Sequence, residues 1–123
     1  MLEKTPKKHQ NSHDLLADST KNNLYFKLIL QLNKDFKLAN FDCEIPVEST
    51  PSDLKEILYH AIKNVIIDDF STYKNILYIA DISEEMIRKI DNSNMDIYVE
   101  NVVFLLLKRV WKKVWFSANY TNL

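Results

Sequence analysis

Glycine is absent from all 123 residues. A P-loop, a dinucleotide fingerprint and a nucleophile elbow each need glycine, for positive φ or for close approach of the backbone to a ligand, so all three are excluded. Tight primed hairpins also lean on glycine, with Asn as the substitute, and its absence tilts the reading toward helices joined by Asn, Asp, Ser and Pro. Cysteine is almost as scarce. The single thiol, Cys43, has no intramolecular disulfide partner, which fits a reducing compartment. Long apolar runs are missing too: the longest nearly uncharged one, Val102 to Leu107, falls far short of the ~20 residues that cross a bilayer. The first residues, MLEKTPKKHQNSHD, lack an apolar core segment, so no secretory signal is expected and cytoplasmic residence is the default. Neither sign of charge dominates: Lys and Arg number 16 against 17 Asp and Glu, a net charge of −1, so no global field draws nucleic acid or a membrane surface.

What is present is ordinary globular material, 46% hydrophobic and 27% charged. A chain of this length is most simply one domain that buries roughly two-thirds of its unfolded surface, enough to fold without a metal or a disulfide. Residues 1–20 read as a mobile polar tail, with at most a short helical turn at 14–17, and 21–123 as a single helical domain. Within the domain, Tyr25, Leu28, Ile29, Leu32 and Phe36 keep the spacing of a helix over about 22–38, and Asn40 stands where a left-handed residue ends it. The stretch FDCEIPVES is a connector in which Pro46 blocks helix. Thr50-Pro51-Ser52-Asp53 is a helix start, with Thr50 as cap, Pro51 at the first helical position and Asp53 near the positive end of the helix dipole. Leu54, Ile57, Leu58, Ala61, Ile62, Val65 and Ile66 then follow the helical template. Asp68-Asp69 opens a further segment carrying Phe70, Tyr73, Ile76, Leu77 and Ala80. Ser83 caps a short helix ending near Asp91, and Asn94 caps the last one, over about 96–119. The expectation is an all-α fold, a single compact bundle of about five helices. Its core is expected to include Leu28, Leu32, Phe36, Leu58, Ile62, Ile66, Leu77, Ile87, Leu107, Trp111 and Val114.

The last helix is the most informative segment. One face gathers Val103, Phe104, Leu106, Leu107, Val110, Trp111, Val114 and Trp115; the other gathers Lys108, Arg109, Lys112 and Lys113, with no carboxylate after Glu100. The cations form i, i+4 pairs, and the same projection puts Val102, Leu105 and Phe116 beside them. Apolar groups among cations suit a protein contact better than a phosphate groove. The competing reading is a solvated surface neutralised by the protein's own acids, with Asp42, Glu44, Glu48, Glu84 and Glu85 as candidates.

Other chemistry is weaker. His9 and His13 stand at i, i+4 but lack further ligands, and read as two solvated histidines. His60 is one turn from Glu56 and reads as a local Glu–His contact. Asp42 and Glu44 flank Cys43 and disfavour its thiolate. Asp68, Asp69, Asp81, Glu84 and Glu85 all fall at helix ends, where capping explains them; Asp81 has the alternative of pairing with a basic residue of the last helix.

ILYIADISEEMIRKI, from Ile76 to Ile90, followed by LLLKRVWKKVWFSANY, from Leu105 to Tyr120, resembles small all-helical proteins of Bacteroidetes-type bacteria. In those, a "LYR-D-SE" segment precedes a basic terminal helix containing Trp. The likeness covers roughly the last two-thirds of the chain and implies a helical fold without an activity to carry over. Ile79 departs from it, standing where an arginine would precede the aspartate.

The functional expectation is a small cytoplasmic, non-enzymatic interaction protein, an adaptor or assembly subunit that could also self-associate. Its contact residues would be Lys108, Arg109, Lys112, Lys113 and Phe116; no cofactor, metal or membrane partner is expected. The alternative is nucleic-acid binding through the same four cations, helped by Lys4, Lys7 and Lys8. A third reading is an enzyme using Asp68, Asp69, Asp81 or His60, which would need those groups in one pocket.

Overall fold

The helices begin where side chains can take up their free N–H groups. In the computed structural model, which describes residues 5–120, there are six: α1 (Ser12–Lys21), α2 (Tyr25–Leu38), α3 (Pro51–Asp68), α4 (Phe70–Ile79), α5 (Glu84–Arg88) and α6 (Met95–Tyr120), with no strand among the described residues. Asn11 accepts from the Asp14 N–H at 2.9 Å to start α1. Thr50 and Asp53 form a reciprocal capping box at α3. Asp69 caps α4, Ser83 caps α5, and Asn94 accepts from Ile97 at the start of α6. Each such cap is worth about 1 kcal/mol. The all-α expectation holds, as do the expected caps.

Three helices end in the left-handed conformation without glycine. Asn23, Asn40 and Asp81 have φ of 59°, 56° and 60°. After each, the next N–H reaches back to the third-last helical carbonyl: Leu24 to Ser19 at 2.9 Å, Phe41 to Phe36 at 2.8 Å and Ile82 to Leu77 at 2.8 Å. This is the Schellman closure, usually served by glycine and here by residues whose short polar side chains tolerate that region. The apolar contact that accompanies it is visible at α2, where Phe36 and Phe41 meet edge to face at 4.9 Å.

The N-terminal reading needs correction. Residues 12–20 are not a tail: α1 buries Leu15 and Leu16 and packs against α2, α3 and α6. Fully burying a leucine contributes roughly 1.5–3 kcal/mol, so two of them hold an otherwise polar helix on the core. The part of that expectation on residues 1–4 lies outside the described residues, as do 121–123 of the domain.

α6 is the axis of the bundle, in contact with α1, α2 and α3. α3 runs antiparallel to it: Lys63 meets Asp96 at 3.3 Å, while Ser52, at the start of α3, faces Phe104 across a cleft. Leu28, Leu32, Phe36, Leu58, Ile62, Leu107, Trp111 and Val114 are buried as expected; Ile66, Leu77 and Ile87 are only partly buried and pack around that core. Trp111 Nε1 is the one buried side-chain polar atom without a hydrogen-bond partner among the described residues.

Val102 and Leu105 are also corrected: both are buried, not set among the cations. On either side of them in sequence α6 is tied to the 81–91 segment, by Arg109 with Asp81 and by the Asn101 side chain, which donates to the Asp91 carbonyl at 3.2 Å. The connector between α2 and α3 is likewise pinned. The Asn33 amide both donates to and accepts from the Ile45 peptide, at 2.9 and 2.8 Å, and the Tyr25 hydroxyl donates to the Ser49 carbonyl at 2.6 Å. These bonds seat Ile45 in the core.

Candidate functional site

The four cations of α6 divide into two pairs with different surroundings. Arg109 donates from Nε to the Ala80 carbonyl at 3.3 Å and from its terminal nitrogen to Asp81 at 2.6 Å. Lys113 donates to Asp35 at 2.8 Å and to the Ile79 carbonyl at 3.4 Å. Both therefore sit at the C-terminus of α4, a helix with no basic residue in its own last turn. They place positive charge on its orphan carbonyls, where the helix dipole is negative. Asp81 thus takes the second role the sequence allowed, pairing with the last helix. None of the expected acids does so: Glu84 and Glu85 make local pairs with Arg88 and Lys89, and Asp42, Glu44 and Glu48 have no ion-pair partner among the described residues.

Lys108 and Lys112 form the other pair. Both are exposed, and neither has an acidic partner among the described residues. The Lys108 ammonium lies 4.6 Å from the centre of the Phe104 ring. Phe116, one turn beyond Lys112, is half-buried; it meets Trp115 edge to face at 5.1 Å and stacks with Tyr120 at 5.7 Å. Trp111 and Trp115 lie beneath, both buried. Lys108 and Lys112, with half-buried Phe104 before them and the aromatic cluster after, thus form an exposed strip along α6.

Beside Phe104 the strip opens into a cleft of about 490 Å³ between α1, α3 and α6. Its polar lining mixes Lys55 and His13 with Glu56 and Glu100, so the site has no dominant charge. Tyr59, on its wall, hydrogen-bonds to Asp96; that bond raises the tyrosine's pKa and, with Lys63, holds the Asp96 carboxyl below its usual range.

The remaining candidates do not assemble into a centre. His9 is not solvated: its ring nitrogen lies 2.8 Å from Asp18, and its side chain is almost covered, which corrects the reading of two solvated histidines. His13 is exposed. No hydrogen bond or ion pair joins His60 to Glu56; the imidazole stands edge-on to Tyr59 at 5.3 Å. Cys43 is half-buried, and burial, then Asp42, pushes its thiol pKa up. Asp69 is engaged with Thr72, whose hydroxyl and N–H hold its carboxyl below the usual range. Among the described residues no group of His, Cys, Asp and Glu could hold a metal ion, and no helix is long and apolar enough to cross a membrane.

Sequence reading missed Asp35, because a carboxylate beside Phe36 reads as surface. Its partner stands 78 residues away, beyond any local signal. No protein-family model, curated protein or solved structure matches this chain.

Proposed function

We propose that the protein is a small non-enzymatic interaction module, an adaptor or assembly subunit, that receives an acidic protein partner on the exposed strip of α6. The observation that carries this reading is the division of the cations. Arg109 and Lys113 are occupied by Asp81 and Asp35, whereas Lys108 and Lys112 stand in solvent beside Phe104 and Phe116 without an acidic partner among the described residues. Cations interleaved with aromatic surface are the composition of a protein contact. The bacterial setting belongs to this proposal through the resemblance carried by Ile76–Ile90 and Leu105–Tyr120, and the cytoplasmic setting is proposed with it.

A pull-down from the native cell tests it. Captured partners should be lost with Lys108→Glu/Lys112→Glu and kept with a charge reversal elsewhere on the surface, such as Lys74→Glu. Capture that survives the first variant, or no capture at all, counts against the proposal.

Nucleic-acid binding is the weaker reading, because the four-cation face it needs is half committed inside the fold. Two free lysines would neutralise about two phosphates and give a salt-dependence slope of roughly −2. A slope several times steeper would revive it.

A further inference from the structure

Away from α6, α2 presents a face of unmixed sign. At 100° per residue, Phe26 and Leu30 lie side by side on its solvent arc, with Lys27 and Lys34 along one flank and Lys37 two turns past Leu30. Phe26 is 55% exposed and Leu30 45%. The three lysines are exposed and have no ion-pair partner among the described residues. The helix's one carboxylate, Asp35, is turned inward to Lys113.

The opposite flank has the opposite charge. Asn33 and Tyr25 hold the connector along that side of α2 through Ile45 and Ser49. The connector carries Asp42, Glu44 and Glu48, all exposed and unpaired among the described residues, and no basic residue. Val47, 46% exposed, adds to the apolar middle.

A surface with a cationic edge, an apolar centre and an anionic edge is complementary to itself under one kind of two-fold rotation. An axis parallel to α2 lays each lysine edge on the other copy's acidic edge and brings the Phe26 and Leu30 surfaces together. An axis across α2 would set lysine against lysine. From this we infer that the face joining α2 and the connector is an isologous dimer interface, occupied by a second copy of this chain with the two α2 helices parallel. The interface is distinct from the α6 strip, so the two proposals fail separately.

Sedimentation equilibrium of the full chain tests it. The wild type should dimerise at low salt and loosen as salt rises from about 0.05 to 0.5 M. Lys27→Glu/Lys34→Glu and Glu44→Lys/Glu48→Lys should each weaken the dimer at least about tenfold. Mixing these two variants should restore a heterodimer, because reversed edges again meet opposite charge. Leu30→Glu, at the centre, should also dissociate it, while Lys108→Glu/Lys112→Glu should leave it intact; circular dichroism checks that each variant is folded. A wild type monomeric at high micromolar concentration overturns the inference, including one that instead sediments with phosphatidylglycerol vesicles. So does a dimer indifferent to both reversals, or a mixture that stays monomeric.

Discussion

Lys113 Nζ stands 2.8 Å from Asp35 Oδ2, joining α6 to α2, with the Asp35 side chain only 4% exposed and the lysine 38% exposed. Gln31 donates to the other oxygen at 2.8 Å, so the buried carboxylate is satisfied on both sides. Removing the cation leaves a buried charge held by one neutral donor. Lys113→Met should therefore cost about 2 kcal/mol, and Asp35→Leu/Lys113→Met clearly less, since the double change removes the buried charge as well. Urea unfolding of the four members of the cycle measures this; a double variant as unstable as the sum of the singles would contradict it.

Helix closure without glycine gives a second expectation. Asn40 occupies a left-handed position, so Asn40→Gly should be neutral or stabilise by up to about 1 kcal/mol, while Asn40→Ala should destabilise by about 1 kcal/mol. Asp81→Gly should gain less than Asn40→Gly, because Asp81 also holds Arg109. Thermal melts of the three variants decide the order.

Stability should fall in strong base. Burial, then Asp53, pushes the Tyr25 hydroxyl from 10.0 to about 12, and Tyr73, buried and bonded to Tyr98 at 2.8 Å, is raised further. A folded-state pKa above the unfolded one means that the folded chain keeps its proton longer. The stabilisation is complete below pH ~10 and, for Tyr25, is lost as pH rises through its folded value of about 12. Tyr25→Phe should flatten that alkaline limb in denaturant titrations. On the acid side, Asp69, Asp91 and Asp96 have lowered pKa values, owing chiefly to Thr72, Ser93 and Tyr59 respectively. Their contribution is complete above the ordinary Asp range and lost as pH falls through the folded values; Asp96→Asn should shallow the acid limb.

Cys43 should be a slow thiol. Burial and Asp42 both raise its pKa, which lowers the thiolate fraction at neutral pH. Iodoacetamide should modify the native protein at least about tenfold more slowly than the urea-unfolded chain at pH 7.5. Equal rates would contradict the half-buried connector.

Much of this fold is legible in the chain because its signals are local. Thr50 with Asp53, Ser83 and Asn94 are caps whose partners lie within three residues, and the spacing from Leu54 to Ile66 repeats at helical period. α1 escapes notice because Leu15 and Leu16 are adjacent and alone, giving a polar segment no periodic stripe. Val102 and Leu105 are misplaced because a helical wheel assumes one buried side, whereas α6 is covered by α1, α2 and α3 and strapped by the 81–91 segment. The division of the basic face is half legible: the sequence offers Asp81 a basic partner on the last helix, but Lys113 finds Asp35 78 residues away, with no local signal to point to it.

The division of the α6 cations between fold and surface can be measured without a partner. Thermal unfolding of Arg109→Ala/Lys113→Ala should show a midpoint lowered by about 5–10 °C, because two cations leave the α4 C-terminus and the buried Asp35. Lys108→Ala/Lys112→Ala should melt within about 1–2 °C of the wild type, as expected of solvated surface charges. Equal losses in both variants, or a larger one in the second, would contradict the assignment of one pair to the fold and the other to a partner.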